Sequence, residues 1–443
     1  MSDTSGSHAG TATAEKAQIK QSEAAEDAVH DNATLKPSNT PGPPPNGGAI
    51  AWLHVLGSFM LYFNTWGIQN AFGVFQTYYE SRTLFHESSS NISWIGSVGS
   101  FMLLFAGLLV GPIFDRGYLR TLLLLGSFMV VFGHMMLSLC HTYWEVVLAQ
   151  GFVIGIGTGC LFVPCVAIIP QYFSTRIGLA LGVAVSGSAL GGVIYPIVLY
   201  QLIGRIGFPW AVRVIGFIAL GTLLVPIMTM KLRVKPPKAR ALLDWSAFVD
   251  FPYMFFVLNT LLAYIGLFVV LFYLSYYADE QDIADTELAF YLVPIFNAAS
   301  IFGRMIPNAL ASRFGALNLL VPAVLSSGTL MLCMMAVHSE GAVIVMALLF
   351  GFMSGALIGL VPLCFVGFTN DKSKIGTRVG MGYAMSALGV LAAGPASGAI
   401  LGQNKPLNWR GLWIFCGVLS LISGVGYGAV RVIKYGPKLS VKA

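Results

Sequence analysis

The stretch GFVIGIGTG, residues 151–159, sets three glycines four residues apart, and GFMSGALIG, 351–359, repeats the spacing 200 residues later. Each triple lies inside a long apolar run, so its glycines fall on one helix face, where they let a neighbouring backbone approach closely. Close approach matters most in lipid, where packing rather than hydrophobicity drives helix association. One such triple carries little weight. Two at matched positions predict a chain built twice on one plan.

The echo extends outward from the glycines. Pro164 and Pro362 follow them, TRIG at 175–178 answers TRVG at 377–380, and SALG at 188–191 answers SALG at 386–389. Upstream, GPIFDRGYLR, 111–120, has its counterpart in NALASRFG, 308–315. Composition agrees with a lipid setting: 56% of the 443 residues are hydrophobic and 10% charged, far from an ordinary water-soluble domain. Crossing a bilayer takes about 20 apolar residues, and only a helix or a closed barrel satisfies its own backbone there. The runs are too long and too little alternating for barrel strands. Runs near 50–77, 91–113, 121–139, 146–170, 178–203, 210–230, 252–278, 288–311, 316–336, 342–368, 378–402 and 410–430 predict twelve transmembrane helices. The expected fold is all-α and integral to the membrane, in two pseudo-symmetric six-helix halves.

The domain plan follows. Residues 1–48, rich in Ser, Thr, Ala, Gly and acids and closing on PGPPPNGG, are expected to be a disordered cytosolic tail without a secretory signal. The first half covers 49–230, a cytosolic central loop 231–251, the second half 252–430 and a cytosolic C-terminal tail 431–443. Orientation comes from lysine and arginine in short loops. Sixteen fall on one face, among them Lys235, Lys238, Arg240 and Lys372, against Arg82, Arg205, Arg213, Lys405 and Arg410 on the other. That bias places both termini in the cytosol, and the expected location is the plasma membrane. Scattered over loops, these cations form no basic stripe, so no nucleic-acid partner is expected. The six cysteines lack metal or disulfide spacing, and no GxxxxGK[ST], GxSxG or HExxH motif occurs. An enzyme, a metal and a cofactor are therefore not expected. The partners are membrane lipid and a small-molecule substrate.

Two groups of residues carry function. In GPIFDRGYLR, Asp115 and Arg116, with Arg120 and Arg176 nearby on the same face, provide charges that helix ends can make in one conformation and break in another. The second copy has Ser312 where the first has Asp115, so such a switch is asymmetric. Within the spans, Arg304 is the one clear charge deep in a helix, about seven residues, or roughly 10 Å, from the end of its predicted run. A buried charge costs about 2.5–3.5 kcal/mol on insertion scales, which argues for a functional reason. Asn64, Gln69, Asn70, Asn259 and Asn297 add uncharged donors and acceptors, open to substrate or to interhelical hydrogen bonds.

Twelve spans, two parallel halves and a G-x-x-x-D-R loop after the second span resemble the major facilitator superfamily. YFSTRIGLALGVAVSGSALGG, 172–192, is similar to the fifth-span signature of monocarboxylate porters, and GGAIAWLHVLGSFMLYFNTWGIQNAFGVFQTYY, 47–79, resembles the first-span region of their fungal branch. The resemblance implies a secondary transporter working by alternating access, with a small organic solute, carboxylate-bearing, held near the midplane. It implies that Arg304, in FGRMIP, pairs with the substrate carboxylate. Ser300 and Asn70 stand where animal members carry an aspartate and a lysine, which leaves proton coupling open. Arg304, Asn70, Asn297, Ser300 and Trp66 are the expected substrate-binding residues. The missing charges and the first-span aromatics Phe63, Trp66 and Phe72 favour a second reading, an exporter of a larger weakly acidic or neutral metabolite. A non-transporting receptor is the remote alternative.

Overall fold

The computed structural model describes residues 44–443 except 82, 234–239, 370, 372–373, 404, 439–440 and 443. Most of the tail read at 1–48, and Arg82, Lys235, Lys238 and Lys372 of the charge count, lie outside the described residues. Ten described helices are long and apolar enough to cross a membrane. Two features reconcile ten helices with twelve runs.

The first is a corner. The fifth and sixth runs form one helix, Ile177–Thr229, of 53 residues, with Gly207 at φ 77° and ψ 164° inside it. At 1.5 Å per residue such a helix would reach about 80 Å, well over twice the hydrocarbon thickness, so Gly207 turns it into two crossings. Only glycine adopts that backbone at no steric cost, and Pro209 cannot restore a regular ladder just beyond it. The second feature is a break. The first run divides into Ala49–Asn64, Trp66–Asn70 and Phe72–Glu80, interrupted at Thr65 (φ −95°, ψ −85°) and Ala71, each piece too short to cross alone. With the corner counted as two crossings and the broken helix as one, the total is twelve.

The remaining spans are Ser89–Asp115 (second), Leu119–Leu137 (third), Tyr143–Gln171 (fourth), Phe251–Glu280 (seventh), Thr286–Phe314 (eighth), Ala316–Ala336 (ninth), Glu340–Gly367 (tenth), Ile375–Leu401 (eleventh) and Trp409–Tyr435 (twelfth). Several of their starts carry short polar caps that satisfy otherwise unpaired amides. Ser88 accepts from Asn91 N at 3.1 Å, Asp285 from Leu288 N at 2.7 Å and Asn408 from Gly411 N at 2.9 Å. Leu124, Leu125 and Phe128 on the third span stand out from the bundle, as a lipid-facing surface requires.

The sequence repeat is a packing repeat. A Cβ on Gly155 would lie 2.9 Å from Met102 Cβ and 3.0 Å from Gly99 O, and one on Gly355 would lie 2.9 Å from Arg304 N and overlap Ser300 O. The fourth span thus seats on the second as the tenth seats on the eighth. Likewise, a Cβ on Gly191 would meet Phe63 O and one on Gly389 would meet Leu261 O, seating the fifth span on the first and the eleventh on the seventh. Gly117 and Gly315 close the second and eighth spans at φ 98° and 94°, matched positive-φ turns.

Candidate functional site

The eighth span runs to Phe314, three residues beyond its predicted end, so Arg304 lies ten residues inside it, at about 15 Å depth. It is 3% exposed. Its Nη1 donates across the boundary between the halves to Ser188 Oγ and, at 3.4 Å, to Val185 O of the fifth span. Both partners are neutral, and no ion pair among the described residues includes Arg304. The positive charge is held by dipoles alone.

Ser300 and Asn297 share the face of Arg304, four and seven residues earlier. Asn297 lies against Gly192 of the fifth span, where an added Cβ would approach its side chain to 2.6 Å. Its Nδ2 donates to Val293 O at 3.0 Å. Four of the expected binding residues each hold a buried polar atom with no partner within the described protein: Asn297 Oδ1, Ser300 Oγ, Arg304 Nε, and Asn70 Nδ2 on the short broken piece Trp66–Asn70. A buried polar group left unmade costs about 1–3 kcal/mol, so each has hydrogen-bonding capacity to give a bound molecule.

Trp66, on the same broken piece, belongs to a chain of aromatic rings joining the halves. It meets Phe162 at 6.1 Å and Phe268 at 6.4 Å, Tyr62 meets Phe162 at 6.4 Å, and Phe162 meets Tyr383 at 6.3 Å. Tyr62 also lies within electrostatic reach of Arg304. Sequence reasoning named Trp66 and missed Tyr62, Phe162, Phe268 and Tyr383. A usable signal existed only for Phe162, three residues beyond the close-packing Gly159.

The halves are tied at both ends. At one end the Tyr273 hydroxyl lies 2.9 Å from Ser93 Oγ and 3.3 Å from both Ser89 O and Gly394 O, while Ser90 Oγ donates to Pro395 O at 2.9 Å. Beyond this seal a cleft of about 930 Å³ opens, lined by Glu80, Glu87, Asp279, Glu280 and Lys405 among others.

The opposite end is closed by the central loop. Arg240 reaches Asp115 with both arms of its fork, Nε at 2.6 Å and Nη2 at 2.8 Å, and its backbone N adds a third bond at 3.0 Å. Its guanidinium fits between Gly111 of the second span and Gly376 of the eleventh, where a Cβ would lie 3.5 Å and 2.6 Å from it. Asp244 then accepts from Arg378 on the eleventh span at 2.9 Å and from Lys374 just before that span at 3.1 Å, and Arg378 also reaches Asp250 at 2.7 Å. Burial pushes the Asp244 carboxyl up, but hydrogen bonds from Ser246, Arg378 and Lys374 outweigh this and hold it well below the usual carboxylate range. A depressed pKa means the pairing contributes fully above the ordinary value near about 4 and is lost only as pH falls through the folded-state value. Asp244 therefore stays ionised at about pH 5 and above.

Of the expected switch residues, the structure brings Asp115 into an ion pair and leaves Arg116, Arg120 and Arg176 exposed, without an ion pair among the described residues. Consecutive helical residues do not face each other, so Arg116 points away from the buried Asp115. The partner is Arg240, which the sequence offered only as one of many loop cations. Charge-assisted hydrogen bonds contribute about 1.5–3 kcal/mol, and a loss of about 2 kcal/mol shifts a two-state equilibrium roughly 30-fold. Asp115→Asn and Arg240→Gln are each expected to speed maleimide labelling of a cysteine at Gly380, which faces Leu108 at 3.5 Å from an added Cβ. The charge swap Asp115→Arg with Arg240→Asp should restore slow labelling. Unchanged labelling in both single variants would show that the pair does not hold this end shut.

Across residues 55–370 and 256–442 the chain matches the family model described as Major Facilitator Superfamily. It is 66% identical over 379 residues to the MFS-type transporter dbaD of Emericella nidulans, covering 86% of this chain and 85% of that one. It is 36% identical over 406 residues to the aspyridones efflux protein apdF of the same fungus, covering 91% and 82%. Among solved structures, a POT family transporter in complex with 5-aminolevulinic acid aligns with a TM-score of 0.69 at 14% identity, covering 90% of this chain and 99% of that one. A mutant of the nucleoside transporter NupG aligns at 0.70, also at 14% identity, covering 85% and 99%. At that identity the two structures speak for the fold alone.

Proposed function

The chain belongs to the major facilitator superfamily and is a membrane transporter, not an enzyme, and from that premise we propose that it exports a weakly acidic, ring-bearing metabolite by alternating access. One observation carries the reading: a buried arginine with only neutral hydrogen-bond partners, within electrostatic reach of Tyr62, whose ring meets a cluster drawn from both halves. An ionised acid on the solute supplies the missing countercharge, and a guanidinium fork suits a carboxylate or an enolate. Aromatic rings favour a flat apolar body next to that acid. The aspyridones efflux protein among the relatives supports the outward direction. The fifth-span resemblance supports a place in the monocarboxylate-porter-like branch, the sixteen-to-five loop charges support cytosolic termini, and export out of the cell sets the chain in the plasma membrane.

The test is export from cells expressing the chain and loaded with a panel of small aromatic acids and their neutral amide analogues. At least one acid should leave faster than from empty-vector cells, with its amide retained. A panel in which only neutral or cationic compounds leave overturns the acid reading.

A further inference from the structure

The central loop that carries Arg240 and Asp244 has a second face. Within residues 242–251, Leu242, Leu243, Trp245, Phe248, Val249 and Phe251 all stand exposed, Trp245 at 73%, Val249 at 85% and Phe251 at 64%. Only Phe251 belongs to a span, as the first residue of the seventh. The polar side chains turn the other way: Asp244 is buried on Arg378 and Lys374, and Arg240 is locked on Asp115. The segment is therefore two-sided, with ion pairs towards the protein and large apolar groups away from it. A contiguous apolar patch of this kind on a loop marks an interaction surface.

What covers it follows from continuity. Trp245 packs on Phe248 at 5.7 Å, and Phe251 stacks on Phe255 at 5.6 Å, so exposed apolar groups continue along the chain from the loop onto the seventh span. There it joins exposed Leu258, part of the lipid-facing surface. The short helix Ser246–Val249 is too brief to cross a membrane and sits where the seventh span enters one. Tryptophan at such a place is the usual occupant of the boundary between headgroups and acyl chains.

We propose that residues 242–251 form an interfacial anchor, seated in the headgroup boundary of the bilayer, with Trp245, Phe248 and Val249 in lipid and Arg240 and Asp244 facing the protein. The ion pairs that close this end of the transporter are then carried by a segment that rests on lipid rather than one loose in water.

The experiment uses the full chain with Cys333→Ser, single cysteines at Trp245, Val249 and, as a water-facing control, Lys442, each labelled with the environment-sensitive fluorophore NBD. Reconstitution is in phosphatidylcholine vesicles with or without lipids spin-labelled near the headgroup. Labels at 245 and 249 should be quenched by the spin-labelled lipid at least threefold more than the label at 442, and iodide in the water should quench them at least threefold less. Iodide quenching equal to that at 442 puts the segment in water and overturns the proposal. Protection from both quenchers means that protein covers the face, and overturns it as well. A third cysteine at Phe248 gives the same readout should either variant fold poorly.

Discussion

Arg304→Gln is expected to abolish transport of anionic substrates while protein abundance stays near that of the parent. The side chain donates to Ser188 Oγ and Val185 O, both neutral, so glutamine keeps a donor in place and removes only the charge. Folding loses little, because an uncompensated buried cation is itself a cost. Binding of an anion loses a charge-assisted pair, and truncating one partner of such a buried pair costs about 2–5 kcal/mol, or thirtyfold and upward in affinity. Arg304→Lys should fail almost as badly, because one ammonium cannot span both a substrate oxygen and the fifth-span acceptors as a fork does. Ser300→Asp places a carboxylate one helical turn before the arginine, where it competes with the substrate and adds a titrating group, so anion affinity should fall and become pH-dependent. The measurement is flux of one identified anion in the three variants at matched surface abundance. Parent-like rate and affinity in Arg304→Gln would make the arginine structural.

Gly355→Leu should be the most damaging of the packing changes, lowering folded protein several-fold. The first added carbon alone overlaps Ser300 O and lies 2.9 Å from Arg304 N, both backbone atoms that cannot rotate aside. The tenth span would have to move off the eighth, and overpacking of a tight contact costs about 1–3 kcal/mol even for smaller changes. Gly155→Leu should cost less, since its added carbon meets Met102 Cβ at 2.9 Å and Gly99 O at 3.0 Å, tight contacts without the outright overlap found at Gly355. Gly182→Ala, with nothing within 4 Å of its added carbon, should be neutral. Abundance by fluorescence-detected gel filtration and Tm ranks the three. A Gly355→Leu protein as abundant and heat-stable as Gly182→Ala would show that the glycine face is not a packing contact.

The elements most legible in the sequence were those governed by the bilayer and by local spacing. Twelve runs, two triples of glycine and matched turns at Gly117 and Gly315 specify the plan because lipid admits few alternatives. Arg304 was legible for the same reason, since a charge within a span is costly enough to stand out. The break at Thr65 was not, because the residue itself is neither glycine nor proline and its backbone is set by neighbours. The ring cluster was equally hidden. With 30 phenylalanines and 17 tyrosines in the chain and spans that are apolar on every side, nothing local separates Phe162 or Tyr383 from rings that face lipid. Arg240 looked like an orientation charge because its partner, Asp115, is 125 residues away.

The pair between Asp115 and Arg240 also bears on ancestry. Each half repeats the other in glycine faces and turns, which is the mark of one six-helix unit copied. Arg240 lies in the linker, and a linker exists only once two copies share a chain. A pair of separate ancestral units could hold their glycine contacts but had no Arg240 to place on Asp115. The clasp therefore belongs to the joined chain and to neither half alone, and Ser312, standing where a second aspartate would be, gives the second half no carboxylate at the matching place.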